Sequence, residues 1–241
     1  MTLLSTHRLH KDFGGIVAVN DLDLNIEKGF ITGIIGPNGA GKTTSFNCMT
    51  GLDVPTSGQV IFNDIDITGL PTYRINRLGI ARTFQNLRLF KEMTVFENVR
   101  VAKHRTSSAG NLQKDSGLWL EKLGLWTYRD ERAKDLPYGL QKRLEIARAM
   151  ATNPKLLFLD EPAAGLNQTE TQEIMELIRS FRDSGLTVVV IEHDMHLIMN
   201  LCQHITVLNF GQKIAEGSPE SVRNDPQVIE AYLGKEDHAA R

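Results

Sequence analysis

A glycine-rich stretch near the amino terminus has the residue types that hold phosphate groups. It follows the pattern Gly, four residues, Gly, Lys, then Ser or Thr. Glycines let the backbone curl so that several N–H groups point inward, and the positive end of a following helix adds to the attraction for anions. A lysine there adds a mobile positive charge, and a threonine adds a hydroxyl for Mg²⁺. The predicted contacts to a nucleotide with Mg²⁺ are Gly36, Pro37, Asn38, Gly39, Ala40, Gly41, Lys42, Thr43 and the adjacent Thr44.

Two adjacent carboxylates follow an apolar run further along the chain. Residues 156–159 read LLFL, and Asp160 and Glu161 come directly after them. An aspartate at the end of a buried strand can bind Mg²⁺ directly or through water, and the neighbouring glutamate can polarise an attacking water. With the phosphate loop, the pair predicts hydrolysis of the nucleotide, and it leaves the choice between ATP and GTP open.

Strand, loop, helix is the order that such a phosphate site needs, and the flanking residues predict it. Residues 31–35 form an apolar run before the loop, and residues 43–50 have room for a short helix before Gly51. Residues 156–159 and 187–191 are short, partly β-branched runs typical of strands buried on both faces. Apolar side chains at helical spacing lie between those two runs, so we expect a βαβ unit in a mainly parallel sheet.

Other segments predict two additions to this α/β core. Leu22, Leu24 and Ile26 alternate with polar residues, which indicates an antiparallel edge strand, and the alternating QVIFNDIDI after Gly58 predicts one more strand. From residue 85 the apolar spacing becomes mainly helical, and its most loop-like stretch is 107–110. We therefore expect one domain, with a core and β subdomain at 1–84 and 150–234, a helical subdomain at 85–149, and a polar tail at 235–241.

The composition argues against a membrane-spanning protein, against binding of nucleic acid through overall charge, and against a disulfide-stabilised protein. Hydrophobic residues make up 41% and charged residues 23%, and no run approaches eighteen apolar residues, so no membrane span is expected. A formal net charge of -2 gives no overall attraction to nucleic acid. The two cysteines, Cys48 and Cys202, lie in apolar segments, which favours reduced, buried thiols and the cytosol.

With these motifs in this order, the chain resembles the nucleotide-binding subunits of ABC transporters from about Thr2 to Gly234. The resemblance implies an ABC ATPase fold that binds ATP and Mg²⁺. It implies that Gln85, in ARTFQN, contacts Mg²⁺ and the attacking water and communicates with membrane subunits. His193, in VVVIEHD, would contact the γ-phosphate, and Phe13 would stack on adenine.

A segment before the predicted helix of residues 140–150 departs from the family's usual LSGGQ. It reads LPYGLQ, so Pro137 replaces the serine and Tyr138 the first glycine, while Gly139 remains and Gln141 follows Leu140. The resemblance implies that this segment contacts the ATP of a partner subunit. Losing the serine costs about 1.5–3 kcal/mol if nothing replaces its hydrogen bond. Asn167 also stands where the family usually has aspartate.

Several stretches narrow the resemblance to the G-type ATPase of high-affinity branched-chain amino acid importers. They are LPYGLQKRLEIARAM, DEPAAGLN, IEHDM, RTFQNLRLFKEMTVFENV and VIEAYLG. This resemblance implies a second ATPase subunit, either a paralogue or a second copy, and two transmembrane permease subunits. It also implies a periplasmic substrate-binding protein and a peripheral position on the cytoplasmic face of the bacterial inner membrane. Related importers carry urea, amides or aromatic acids.

Three other interpretations remain open at this point. A soluble ABC-type ATPase of DNA repair or translation shares the phosphate loop, but the chain has no long coiled-coil insertion, cysteine cluster or second phosphate loop. A regulator could bind ATP without hydrolysing it, although Glu161 and His193 argue against this. His193 and His196 could suggest a zinc pair, but no other His or Cys is placed to complete it.

Overall fold

The computed structural model describes residues 1–103 and 112–233, which form two β-sheets with helices around them. The predicted loop-like stretch at 107–110 and the polar tail at 235–241 lie outside the described residues. The strands of the described part are β1 (Thr2–Asp12), β2 (Val17–Glu27), β3 (Ile31–Ile35), β4 (Ser57–Phe62), β5 (Ile65–Asp66), β6 (Ile80–Arg82), β7 (Leu156–Asp160), β8 (Thr187–Ile191), β9 (His204–Asn209) and β10 (Gln212–Gly217). Its α-helices are α1 (Lys42–Thr50), α2 (Thr72–Leu78), α3 (Val95–Lys103), α4 (Leu112–Lys122), α5 (Tyr138–Met150), α6 (Gln168–Asp183), α7 (Met195–Leu201), α8 (Pro219–Arg223) and α9 (Pro226–Leu233), and short 3-10 helices span Trp126–Tyr128 and Ala133–Asp135.

The larger sheet has six strands in the order β10, β9, β3, β8, β7, β6. Its pairs are parallel except for β10 on β9. Every residue of β3, β7 and β8 is buried, which confirms the prediction made from their apolar runs. β7 and β8 are neighbours joined through α6, so the predicted βαβ unit is confirmed. Because parallel strands end at the same edge, the loops after β3, β7 and β8 lie together there.

The smaller sheet is antiparallel, with the order β2, β1, β4, β5. Leu22, Leu24 and Ile26 of β2 are buried and alternate with exposed polar residues, which confirms the predicted edge strand. The neighbouring β1 was not predicted because its polar residues hide the pattern. Thr6, for example, is buried and satisfies its hydroxyl by donating to the Leu22 carbonyl at 2.7 Å.

The prediction of one strand over QVIFNDIDI is wrong. The segment is a hairpin in which β4 ends at Phe62 and β5 begins at Ile65, and the two strands pair antiparallel. Asn63 and Asp64 have φ values of 49° and 63°, a left-handed conformation that these two residue types tolerate better than most. The turn signal was present in the sequence as Asn-Asp, but the alternation on both sides masked it.

Helices α3, α4 and α5, which lie in the chain between β6 and β7, pack on one another. α3 contacts α4 and α5, and Val95, Val99 and Leu144 lie in their shared core. This confirms the helical spacing read from the sequence in this region. Cys48 and Cys202 are free and buried, and burial raises the pKa of their thiols to about 11 and about 12. In the described ranges, no helix combines the length and apolar character needed to cross a bilayer.

Candidate active site

The predicted phosphate loop lies between β3 and α1, at the carboxyl-end edge of the large sheet. Gly36, Gly39 and Gly41 have φ values of 149°, 80° and 92°, which residues with a side chain rarely adopt. A Cβ at Gly36 would lie 2.1 Å from the Leu208 carbonyl oxygen, and one at Gly41 would lie 2.2 Å from that of Ala18. Glycine is therefore required at both positions by backbone that packs against the loop.

Lys42 is the charged group of this loop. Its side chain is folded back so that Nζ donates to the carbonyl oxygens of Gly36 at 2.7 Å and Pro37 at 2.9 Å, and the residue is only 7% exposed. The first turn of α1 carries no acidic residue, so the positive end of the helix is not neutralised there. Ala40 is buried, and the exposed or partly exposed residues of this stretch are Pro37, Asn38, Gly39, Gly41, Thr43 and Thr44. This donor set fits the phosphates of a nucleotide.

Asp160 ends β7 and is buried beside a residue that the sequence did not single out. The Arg82 guanidinium lies 2.8 Å from its Oδ2, and it also donates to Asn47 at 2.7 Å and Thr50 at 3.1 Å. Burial lowers the pKa of Arg82, and the Asp160 carboxylate opposes that effect. Within the described residues, Oδ1 of Asp160 accepts no hydrogen bond, so one carboxylate oxygen is left for a metal ion or its water. The sequence feature that could have identified Arg82 is weak: it is a single basic residue at the end of a short apolar run.

Replacing Arg82 with methionine is expected to lower the free energy of unfolding by about 3–5 kcal/mol, because it leaves a buried carboxylate without its partner. Urea unfolding at pH 7 measures this loss. The double variant Arg82→Met, Asp160→Asn removes the uncompensated charge and should regain part of the stability. If the single and double variants unfold at the same urea concentration, the ion pair is not what Arg82 contributes.

Glu161 lies at the centre of a cluster formed by three of the predicted catalytic residues. Its Oε2 accepts a hydrogen bond from Gln85 Nε2 at 3.0 Å, and its Oε1 contacts His193 Nε2. The backbone of Glu161 has a φ of 48°, which costs a residue with a side chain about 1–2 kcal/mol. Its N–H donates to the Ile191 carbonyl at 2.9 Å, which helps to hold it there. The strained backbone directs the carboxylate toward Gln85 and His193.

Buried charged residues around this cluster were missed by the sequence analysis. Lys142 of α5 donates to the main-chain oxygen of Glu161 at 3.1 Å. Glu192 accepts from the Ala163 N–H at 2.8 Å, and burial raises its pKa. Glu145 of α5 accepts from the Phe84 N–H at 3.2 Å, next to Gln85, and burial raises its pKa too. Charged residues on helices and at strand ends usually face water, so their types alone gave no signal.

The segment 137–141 packs against the turn before α6. Pro137 is the N-cap residue of α5, and Gln141 Nε2 donates to the Leu136 carbonyl at 2.8 Å. The Tyr138 ring covers Gly165, where a Cβ would lie 3.0 Å from the ring. A Cβ at Gly139 would lie 2.5 Å from Glu170 Oε1, so a larger residue there would displace that side chain.

Asn167, the other departure from the family pattern, begins α6. Its side chain accepts from the Glu170 N–H at 2.9 Å, and Glu170 accepts from the Asn167 N–H at 3.0 Å. Asparagine is as good an N-cap as aspartate, so the change keeps the helix start intact. The cap also places the Glu170 carboxylate beside Gly139.

Phe13 lies in the turn between β1 and β2 and is 52% exposed. Its N–H donates to the Ile16 carbonyl at 3.0 Å, which closes the turn. The Lys11 ammonium lies 4.7 Å from the ring centroid, within cation–π range. An exposed aromatic ring held on a closed turn is able to stack on a flat ligand.

These features together define a P-loop ATPase with an active site at one edge of its large sheet. A family profile described as "ABC transporter" matches residues 19–164, and another, described as "Branched-chain amino acid ATP-binding cassette transporter", matches residues 212–238. The chain belongs to the ABC transporter ATP-binding family, and it is the ATPase subunit of an ABC transporter. The resemblance to that family, and the ABC ATPase fold it implied, are thereby confirmed.

One curated relative is the high-affinity branched-chain amino acid transport ATP-binding protein LivG of Escherichia coli (strain K12). It is 47% identical over 250 residues, covering 97% of this chain and 98% of the relative. Among solved structures, the ADP conformation of MJ1267, an ATP-binding cassette of an ABC transporter, matches with a TM-score of 0.89 and 34% identity, covering 97% and 99% of the two chains. A dimeric post-hydrolysis state of the cassette MJ0796, bound to ADP and Pi, matches with a TM-score of 0.80 and 29% identity, covering 90% and 99%.

Proposed function

We propose that this ATPase drives an importer for branched-chain amino acids. The observation that carries the proposal is the 47% identity, over nearly the whole of both chains, to a branched-chain amino acid transport ATP-binding protein. The match of residues 212–238 to a profile named for the same transport supports it. Urea, amides and aromatic acids remain the alternative cargoes, since the cargo does not touch an ATPase subunit.

Uptake of radiolabelled leucine, isoleucine and valine by cells lacking the gene tests this proposal. Uptake at micromolar substrate should fall, and the wild-type gene should restore it, while Glu161→Gln should not. Urea and an aromatic acid serve as the comparison substrates. Loss of uptake for one of these, with normal leucine uptake, would assign the transporter to another cargo.

We propose that nucleotide binding uses the phosphate loop, Phe13 and three side chains that would hold Mg²⁺. The main-chain N–H groups of residues 36 and 38–44 and the Lys42 ammonium would hold the phosphates, and Phe13 would stack on the base. Asp160, through Oδ1, and Thr43, through its hydroxyl, would hold Mg²⁺ with Gln85. Mg²⁺, when bound, neutralises charge on the β- and γ-phosphates.

We propose that Glu161 accepts the proton of the attacking water. In the described structure both of its carboxylate oxygens are engaged, one by Gln85 and one by His193. Contact of Gln85 with metal and water, and of His193 with the γ-phosphate, would release the carboxylate for the water. Such an exchange of partners would delay hydrolysis until the nucleotide is in place.

We propose that the site is completed by a second ATPase subunit. Pro137, Tyr138, Gly139 and Gln141 would contact the partner's ATP through the Gly139 amide and the start of α5. The MJ0796 cassette of similar fold forms a dimer with ADP and Pi bound, which supports a two-subunit arrangement. Whether the partner is a paralogue or a second copy is decided by mass spectrometry of the complex.

We propose that a permease subunit docks beside Gln85 on the cytoplasmic face of the inner membrane, with a periplasmic binding protein delivering the cargo. A groove next to Gln85 is lined by Leu52, Tyr73 and Phe84, and the first two are exposed. Exposed apolar side chains in a groove are typical of protein interfaces.

Purification of the tagged chain from membranes should bring two permeases with it, whereas tightly retained nucleic acid would favour a soluble ABC-type ATPase.

Replacing Phe13 with alanine is expected to weaken ATP binding by about 0.5–1.5 kcal/mol, or roughly 2- to 10-fold in Kd, because a stacking partner is lost. Fluorescence titration with labelled ATP and GTP measures the change. Both nucleotides should weaken alike, since stacking distinguishes little between purines. Phe13→Tyr is the control and should bind as the wild type does, and unchanged affinity in Phe13→Ala would remove Phe13 from the site.

A further inference from the structure

The turn that carries Glu161 is held by two buried charged side chains from different elements. Lys142 of α5 is 2% exposed, and its Nζ donates to the Glu161 carbonyl oxygen at 3.1 Å. Glu192, which follows β8, is 5% exposed, and its Oε1 accepts the Ala163 N–H at 2.8 Å. A cation therefore holds the turn at the Glu161 carbonyl, and an anion holds it at the Ala163 N–H.

The contacts fix the backbone from which the Glu161 side chain projects. The Glu161 N–H donates to the Ile191 carbonyl at 2.9 Å, and its carbonyl accepts from both Lys142 and the Ala164 N–H, the latter at 3.2 Å. With a φ of 48°, this residue stays in place only if its surroundings determine its conformation. Lys142 supplies the charged contact among these.

Glu192 also connects the turn to the residue that contacts the Glu161 carboxylate. Its Oε2 accepts the His193 N–H at 3.3 Å, while its Oε1 holds Ala163. His193 in turn contacts Glu161 through Nε2. One buried carboxylate thus sets the spacing between the turn and His193.

Fold stability alone does not account for charges at these two places. Buried charges are expensive to desolvate, and apolar residues of similar size often serve stability equally well. Burial raises the pKa of the Glu145 carboxyl, and the nearby Lys142 ammonium opposes that effect, so an attraction between the two offsets part of the cost of burying Lys142. Within the described residues, however, the hydrogen bonds of both side chains end on main-chain groups of the catalytic turn and of His193.

We propose that Lys142 and Glu192 are positioning residues that hold the Glu161 carboxylate in its working orientation. The proposal rests on the proposed role of Glu161 in activating water. It assigns a function in hydrolysis to two residues outside the set proposed to bind the nucleotide. Lys142 also lies on α5, whose first turn would face the partner's ATP. The same helix would therefore contact both the Glu161 turn of its own subunit and the ATP of the partner.

Matched substitutions test the proposal by separating turnover from binding. Lys142→Met and Glu192→Met should each lower kcat by about 10- to 100-fold, with KM for ATP changed by less than about twofold, because a misplaced base slows chemistry without weakening binding. Lys142→Arg and Glu192→Gln keep a donor and an acceptor and should retain most of the turnover. The controls are Lys213→Met and Glu216→Met, which break an ion pair of 2.7 Å on β10.

Hydrogen exchange of the nucleotide-free chain supplies a readout independent of catalysis. The amides of Ala163 and Ala164 should exchange faster in the two methionine variants than in the wild type or the controls. Unchanged exchange would overturn the proposal, and so would faster exchange with normal turnover. If Lys142→Met does not fold, loss of turnover in Lys142→Arg with intact folding would also count against it.

Glu161→Gln, measured in parallel, separates this proposal from the one on which it rests. If Glu161→Gln keeps normal turnover, the assigned role of Glu161 fails. If Glu161→Gln is inactive while both methionine variants turn over normally, Glu161 keeps its role and the positioning proposal fails. Loss of turnover in all three, with faster exchange in the methionine variants, supports both.

Discussion

Replacing Lys42 with methionine is expected to weaken ATP binding by about 1.5–3 kcal/mol, or roughly 10- to 150-fold in Kd, because a charge-assisted contact to phosphate is lost. The ammonium already lies inside the loop, held by the carbonyl oxygens of Gly36 and Pro37. It therefore meets the phosphates without being recruited from solvent. Methionine has a similar length, so the change removes mainly the charge. Fluorescence titration with labelled ATP and isothermal calorimetry measure the affinity.

The same variant also leaves two loop carbonyls without their donor, so folding has to be measured separately. Thermal unfolding of the nucleotide-free chain shows whether the loop still forms. Lys28→Met, an exposed lysine away from the loop, is the control and should bind ATP normally. A folded Lys42→Met with wild-type affinity would contradict the assignment of this loop as the phosphate site.

Replacing Glu161 with glutamine is expected to lower steady-state ATP turnover by about 10²–10⁴-fold, the usual contribution of a general base. The amide keeps the size of the carboxylate but is a far weaker proton acceptor. Its oxygen and nitrogen can still contact Gln85 and His193, so the cluster should remain assembled. ATP affinity should therefore stay within about twofold of the wild type, since the lost interaction acts only in the transition state.

Release of phosphate by the purified complex measures this turnover, and ATP titration measures the binding. Glu173→Gln is a matched control, because Glu173 is exposed on α6 and pairs with Arg143 outside the cluster. Near-normal phosphate release by Glu161→Gln would show that another group accepts the proton. Loss of ATP binding would show that the substitution disturbed the loop instead.

The sequence was informative where residue type and spacing carry a direct physical meaning. The three glycines of the loop adopt positive φ values, two of them against facing backbone, and the buried strands were readable from their apolar runs. Asp160 and Glu161 were predicted as site residues because a phosphate loop needs a carboxylate for Mg²⁺ and both follow an apolar run. Gln85 and His193 were predicted only through family resemblance, since neither residue type by itself indicates a role.

The missed features depend on long-range packing. Arg82 and Asp160 are 78 residues apart in the chain, and Lys142 meets a carbonyl 19 residues further on. Neither pairing follows from local periodicity. The alternating segment after Gly58 shows the opposite failure, because strong alternation concealed the Asn63–Asp64 turn between two strands. Glu192 was not predicted because only its neighbour, His193, matches the family's histidine motif.

Single-turnover hydrolysis tests most directly whether Glu161 acts in the chemical step. The complex extracted from membranes is loaded with labelled ATP and Mg²⁺, chased with unlabelled ATP, and the bound nucleotide is identified over time. The wild type should convert bound ATP to ADP and phosphate, whereas Glu161→Gln should keep its bound nucleotide as ATP. Conversion to ADP by Glu161→Gln at the wild-type rate would contradict the account.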